Sequence, residues 1–232
     1  QQQAQEPEQA AARWDGFSAF YHRVQSWLQQ AMLAEAALPP KTRAEAGTWL
    51  AQLGDERDGV AVDPETRLPR LKWSQGIPAG QYEIGDDKSE YSSEKPRQIM
   101  INRPFRLAWY PITNAQFQCF IDALDRDESA WWDYLPENEK MFDEPAFSYA
   151  NHPRENVSWY QAVAFCRWLN DKLQQGLPHD EDLGEEVYEL LLPHENEWEV
   201  AARWPNEDVQ ARIYPWGAEI DADKANTIEG DI

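Results

Sequence analysis

The sequence predicts an α+β fold, poor in regular structure, behind an N-terminal helical segment. Three observations predict it. Two amphipathic helical runs occupy most of residues 14–53. Three further helix starts follow, at Thr113, Ser158 and Glu197. Between them lie short apolar runs of strand length and long irregular stretches, in a chain of 232 residues with 12 tryptophans and 16 prolines.

Gln1 to Ala10 holds no large hydrophobe and is expected to fray. From Trp14 the recurrence Trp14, Phe17, Tyr21, Val24, Leu28, Met32, Ala36 marks an amphipathic helix of about six turns, which Pro39-Pro40 should stop. A second helix over Ala44–Leu53 has Trp49, Leu50 and Leu53 as anchors. Two helices form an αα-hairpin, which needs a further layer to bury its apolar faces. The domain reading is a helical hairpin over 1–57, a linker over 58–72 and a second domain over 73–232.

In that second domain Gly80–Gly85 reads as a short strand between glycines. Ile99 and Ile101, then Phe105, Leu107 and Trp109, alternate in period two around Pro104, as an edge strand does. Thr113 and Gln116 make a capping box for a helix with Phe117, Phe120, Ile121 and Leu124 on its apolar face. Ser158 and Gln161 make another, ahead of Ala162, Phe165, Cys166, Leu169 and Leu173 at three- and four-residue steps. Residues 122–155 set Trp131, Trp132, Tyr134, Phe142 and Phe147 among ten acidic and three basic residues. Such a long connection is either functional or pinned down by its aromatics. Val187–Leu192 reads as an apolar strand ended by Pro193, and a helix follows at Glu197.

The formal charge of −21 argues against a nucleic-acid backbone or an anionic membrane as the partner, since both would repel it. The same charge fits plain solubility, a calcium requirement or a cationic partner. A hydrophobic content of 42% suffices for a core. The two cysteines, Cys119 and Cys166, fall on helix faces as small buried hydrophobes, not as a disulfide framework. No signal peptide or membrane span is visible in the sequence, and the missing initiator Met points to a trimmed or partial chain.

The ordered blocks Gly80-Gln81-Tyr82-Glu83-Ile84-Gly85, Glu94-Lys95-Pro96, Pro111-Ile112-Thr113-Asn114-Ala115-Gln116-Phe117, Asn156-Val157-Ser158-Trp159 with its helix, Leu191-Leu192-Pro193-His194-Glu195-Asn196-Glu197-Trp198-Glu199-Val200-Ala201-Ala202-Arg203 and Tyr214-Pro215-Trp216-Gly217 resemble the formylglycine-generating enzyme (sulfatase-modifying factor) superfamily. The resemblance implies a fold related to the C-type lectins, with Trp159, Trp198, Trp216, Thr113 and Ser158 as structural residues and Trp159 in the core. Leu191 and His194 replace an Arg and a Thr of the family pattern. Oxidases of the family use a cysteine pair near the end of the domain to bind copper, and iron-dependent relatives use a His-rich motif. Neither is found here, so no residue is assigned as catalytic.

The family's closing block is also absent, so the domain reads as incomplete, to be finished by a C-terminal remainder in the same or a companion chain. The resemblance further implies structural calcium at Asn226 and Thr227, with Asp231 nearby. Two functions fit. One is a binding protein for a protein or other surface ligand, such as the variable protein of a diversity-generating retroelement. The other is a formylglycine-generating oxidase or iron-dependent sulfur-chemistry relative.

Overall fold

A computed structural model describes residues 5–33, 38–87, 91, 95–174, 188–204 and 212–225. The chain divides into two compact units. One comprises Gln1–Asp55, Tyr149–Asn151 and Asp221–Ile232, the other Glu56–Ser148 and His152–Ile220.

The first unit is built on α1 (Gln5–Met32) and α2 (Pro40–Leu53). Helix α1 begins at Gln5, within the stretch expected to fray. Helix α2 begins at Pro40 rather than after it, because proline at the first helical positions lacks only an N–H that has no partner there anyway. The last carbonyls of α2 would be orphans in any helix. Here α1 supplies their donors: the Tyr21 hydroxyl and Gln25 Nε2 (3.1 Å) donate to the Leu53 carbonyl, and Gln25 Nε2 donates to that of Gly54 at 2.8 Å. Leu50 is fully buried, whereas Trp49, expected beside it as an anchor, is exposed. One helix-to-helix contact line has room for Leu50 but not for a residue a quarter-turn away.

The second unit contains a two-stranded antiparallel sheet, β1 (Gly80–Ile84) with β2 (Arg97–Ile101), in the register Tyr82 opposite Ile99. The period-two run after Pro104 makes only isolated bridges, Ile77 with Phe105 and Trp73 with Ala108. Four α-helices follow among the described residues: α3 (Asn114–Ile121), the single turn α4 (Ser129–Trp132), α5 (Trp159–Gln174) and α6 (Glu195–Arg203). Residues 188–192 form no strand. The Leu190 N–H is taken by Asn170 Oδ1 at 3.0 Å, and Leu190 and Leu192 pack on the core from an irregular segment. A short apolar run needs only a buried partner for its side chains, and a helix face serves as well as a sheet.

The main core lies between α3, α4 and α5. Phe117 stacks on Phe165 at 5.1 Å between centroids, and the fully buried Phe120 touches Phe117, Trp132, Phe142, Phe165 and Trp168. A second cluster, Ile77, Ile84, Ile101 and Val200, joins the sheet to α6.

Both capping boxes form. The Thr113 hydroxyl accepts from the Gln116 N–H (3.3 Å) while Gln116 Oε1 takes the Thr113 N–H (3.0 Å), and Ser158 with Gln161 repeats the pattern at 3.2 and 3.0 Å. In each box the glutamine amide nitrogen has a further task. Gln116 Nε2 donates to the carbonyls of Gly59 (3.3 Å), Ala61 (3.3 Å) and Arg70 (2.8 Å), and Thr113 Oγ1 to that of Val60 at 3.0 Å. Residues 58–72, expected as a linker, are therefore built into this unit, with Val60 and Ala61 buried. Turn-forming residues announce a loop, but not that its carbonyls face a buried donor.

Candidate functional site

The connection between α3 and α5 combines a high density of charge with exposed aromatic rings, and its own hydrogen bonds explain why it is ordered. Trp131 Nε1 donates to the Asp125 carbonyl and Trp132 Nε1 to that of Arg126, both at 2.7 Å. Arg167 of α5 donates to the carbonyls of Trp131 (3.0 Å) and Asp133 (2.9 Å). Gln161 Nε2 donates to those of Glu139 (3.0 Å) and Met141 (2.7 Å). Asn114 and Asn156 hold the carbonyls of Phe147 (2.7 Å) and Glu144 (3.0 Å). The carbonyls that a long loop would leave to water are met by side chains from the helices it spans.

Five of the six aromatics of this stretch split in two. Trp131 and Trp132 are buried and Phe142 packs against Phe117 and Phe120, while Phe147 and Tyr134 face solvent. Tyr134 is 95% exposed and has a positive φ of 61°, unusual for a residue with a side chain. Met141, whose carbonyl is tied to Gln161, is exposed at the start of α5, where Trp159 and Tyr160 also lie. Trp159 and Tyr160 meet edge-on, 5.4 Å between centroids. The exposed carboxylates of Asp133, Glu137 and Glu144 belong to the same stretch. Exposed aromatic rings beside acidic groups offer a cationic side chain both a π face and a counter-charge.

Trp159 is thus not in the core: it is 63% exposed. It stands six residues before Phe165, and at roughly 100° per residue this turns it away from the stripe of Gln161, Ala164, Phe165, Trp168 and Leu169 that faces inward. Ser158→Ala should cost about 1 kcal/mol through the lost cap, and Trp159→Ala less than about 0.5 kcal/mol as a surface change. Urea melts of the two variants check the order, and a larger loss for Trp159→Ala would return that ring to the core.

Asp125 is held by two side chains of α5. It accepts from Lys172 Nζ and from Trp168 Nε1 at 3.2 Å, and Lys172 also lies 5.7 Å from the centre of the Trp131 ring. Burial works to raise the Asp125 carboxyl, but the hydrogen bond and charge of Lys172 and the Trp168 N–H together bring it below its usual range. The same carboxylate raises Lys172. A lowered carboxyl stabilises the fold above its unfolded value of 3.8 and loses that contribution as pH falls through its lower folded value. In thermal melts from about pH 5 to pH 2, Asp125→Asn should flatten the acid limb of the Tm profile. An unchanged acid limb would show that Asp125 does not set it.

The cysteines are free and not activated. Burial pushes the Cys119 thiol up to about 11 and the Cys166 thiol up to about 12, so both are protonated near neutral pH. Among the described residues no group of three or more His, Cys, Asp or Glu side chains is placed to hold a metal ion, and no helix is long and apolar enough to cross a membrane.

The Glu197 block fastens α6 to β1. Glu199 takes the Gly85 N–H at 2.7 Å, and Arg203 Nη1 donates to the Gly85 carbonyl and to Glu199, each at 2.7 Å. Arg203 Nε reaches the Arg212 carbonyl at 2.9 Å, and Trp204 Nε1 that of Glu83 at 3.2 Å. The pair four residues apart grips both backbone groups of one glycine, a role that sequence reasoning missed although the two glycines bounding the strand and the Glu and Arg spacing were in view. At the cap of α6, Glu197 accepts the His194 N–H at 2.8 Å. Leu191 and Trp198 are exposed. Trp216 is half-buried, stacked on Tyr214 at 5.4 Å with its Nε1 on the Glu219 carbonyl at 3.0 Å. Asn226, Thr227 and Asp231 lie outside the described residues.

Comparison with known proteins agrees with this arrangement of blocks. Residues 62–231 match the model of the sulfatase-modifying factor enzyme 1-like domain. The chain is 24% identical over 167 residues to hercynine oxygenase of Mycobacterium tuberculosis, covering 64% of this chain and 35% of that protein. It is 26% identical over 164 residues to serine/threonine-protein kinase pkn1 of Chlamydia pneumoniae, covering 67% and 22%. With inactive C-alpha-formylglycine-generating enzyme 2 of Bos taurus it shares 23% identity over 189 residues, covering 66% and 55%. The chain thus spans about half or less of the length of these relatives.

Proposed function

We propose a binding role for this chain, which belongs to the family of sulfatase-modifying factor enzyme 1-like domains. The reading is of a non-catalytic scaffold, related to the C-type lectin fold, that presents a surface for a protein ligand. One observation carries it: the chain's only two thiols are protonated and held in the scaffold helices, where Cys166 lines the core. The exposed rings of Tyr134, Trp159 and Tyr160, in a chain of formal charge −21, make a cationic segment the fitting ligand. The variable protein of a diversity-generating retroelement is one form such a binder takes. The added helical unit and the replacements at Leu191 and His194 support it.

A second reading is favoured by the likeness to hercynine oxygenase. In it the protein is a formylglycine-generating oxidase or an iron-dependent sulfur-chemistry enzyme, with its catalytic residues outside those described. The deciding experiment uses the chain with its natural flanking sequence. Titration with a hexa-arginine peptide should show binding that weakens with salt, and about tenfold in Trp159→Ala. Aerobic incubation with a cysteine-containing peptide and copper, or with hercynine, cysteine and iron(II), should leave the substrates unchanged by mass spectrometry. An aldehyde or sulfoxide product would overturn the binding reading.

Calcium belongs to this proposal, with Asn226 and Thr227 as ligands and the shell completed by a C-terminal remainder of the domain. Among the described neighbours the Asp221 carboxylate is already engaged by the Asp223 N–H (3.1 Å) and by Lys224 (3.4 Å), so it is not counted in the shell. Thermal melts with calcium and with chelator, in wild type and Asn226→Ala, should differ only for wild type. Equal midpoints in all four would remove calcium.

A further inference from the structure

The helical hairpin leaves one side uncovered. Phe17, Phe20 and Trp27 of α1 are 61%, 52% and 61% exposed, and Trp49 of α2 is 59% exposed. Their placement follows from the contacts between the two helices. Tyr21 and Gln25 meet the end of α2 at Leu53 and Gly54, and Met32 lies against Gly47, so these residues mark the contact line. Seven residues apart, Phe20 and Trp27 fall within about 20° of one another around α1. Trp49 stands about 100° from the buried Leu50. Both helices turn these rings off the contact line in the same rotational sense. For two antiparallel right-handed helices, that puts them on one side of the hairpin. Along the axis, Trp27 and Trp49 come within roughly 4 Å of the same level. The side that carries Gly47 is covered, since Asn151 donates to the Gly47 carbonyl at 3.0 Å and to Asp55 at 2.9 Å.

We propose that the face of Phe17, Phe20, Trp27 and Trp49 is a self-association surface, covered by the same face of a second copy so that two hairpins make a four-helix layer. Charge commits the occupant. Residues 5–53 carry five carboxylates against four cationic side chains, while the whole chain carries 42 against 21. The hairpin is near neutral within a strongly acidic chain, so it can face its own copy without repulsion. A cationic partner would be drawn elsewhere on the chain. Area agrees. Half-exposed aromatic side chains leave on the order of 100 Å² each. The four rings then supply about two thirds of the roughly 600 Å² per partner at the lower end of stable interfaces, and the side chains around them would supply the rest. Pairing of a patch with itself is the ordinary two-fold interface.

Sedimentation equilibrium of the full chain tests this. Wild type at about 100 µM should give twice the chain mass of 26.9 kDa. The double variant Trp27→Glu/Trp49→Glu should run at the single-chain mass, its dimer weakened by about 30-fold or more. Both rings are exposed, so far-UV circular dichroism should stay unchanged. If the double variant fails to fold, Phe20→Lys carries the same test. A monomeric wild type at that concentration overturns the proposal, and so does a dimer that survives the substitutions.

Discussion

Gln116→Glu is expected to destabilise the second unit by about 3–5 kcal/mol at neutral pH, although it alters one atom of a side chain and keeps the capping box in form. A glutamate can still accept the Thr113 N–H. It cannot donate to the carbonyls of Gly59, Ala61 and Arg70, and it sets a negative charge against their three oxygens at a site with no solvent exposure. Burial and the facing carbonyls would raise the new carboxyl above its unfolded value of about 4.3. The folded state then binds the proton more tightly, so the variant gains stability as pH falls and loses it as pH rises. Urea melts at two pH values read both features. A variant within about 1 kcal/mol of wild type at neutral pH would show that the amide nitrogen contributes little. The cap of α6 gives the contrast: Glu197 serves there because its carboxylate only has to accept the His194 N–H.

Phe120→Ala should cost about 3–5 kcal/mol. The ring is fully buried and touches five other aromatic side chains, two of which, Trp132 and Phe142, belong to the long connection rather than to α3 or α5. The cavity would therefore loosen the connection as well as the helix pair. Near-ultraviolet circular dichroism should fall along with the denaturation midpoint. A midpoint loss with an intact aromatic spectrum would mean that Trp132 and Phe142 are held without Phe120.

How much of this was legible in the sequence depends on how local the interaction is. Thr113 with Gln116 and Ser158 with Gln161 could be read because a capping box is complete within four residues. The strand over Gly80–Gly85 was legible for a similar reason, as two glycines bracket it. The carbonyls that Gln116 holds lie 46 to 57 residues away, and no pattern near position 116 reports them. Residues 58–72 therefore read as a linker. Trp159 read as core because the family resemblance implied it, and only the helical phase set by Phe165 and Leu169 shows it turned outward. The sorting of Tyr134 from Trp131 and Trp132 depends on a backbone reversal at Tyr134 that composition does not encode. The exposed surface at the start of α5 depends in turn on the Gln161 tie to Met141.

The two glutamine caps also set how the molecule opens. A helix N-terminus usually frays on its own, and its first amides exchange with solvent faster than those of the core. Here the residue that closes the first turn of α3 also fastens residues 59–70, and its counterpart in α5 fastens residues 139–141. Neither helix start can open without releasing a distant loop, and neither loop can leave without uncapping a helix. The amide protons of Thr113, Gln116, Ser158 and Gln161 should therefore exchange at rates tied to the opening of those loops, each cap and its loop behaving as one cooperative element.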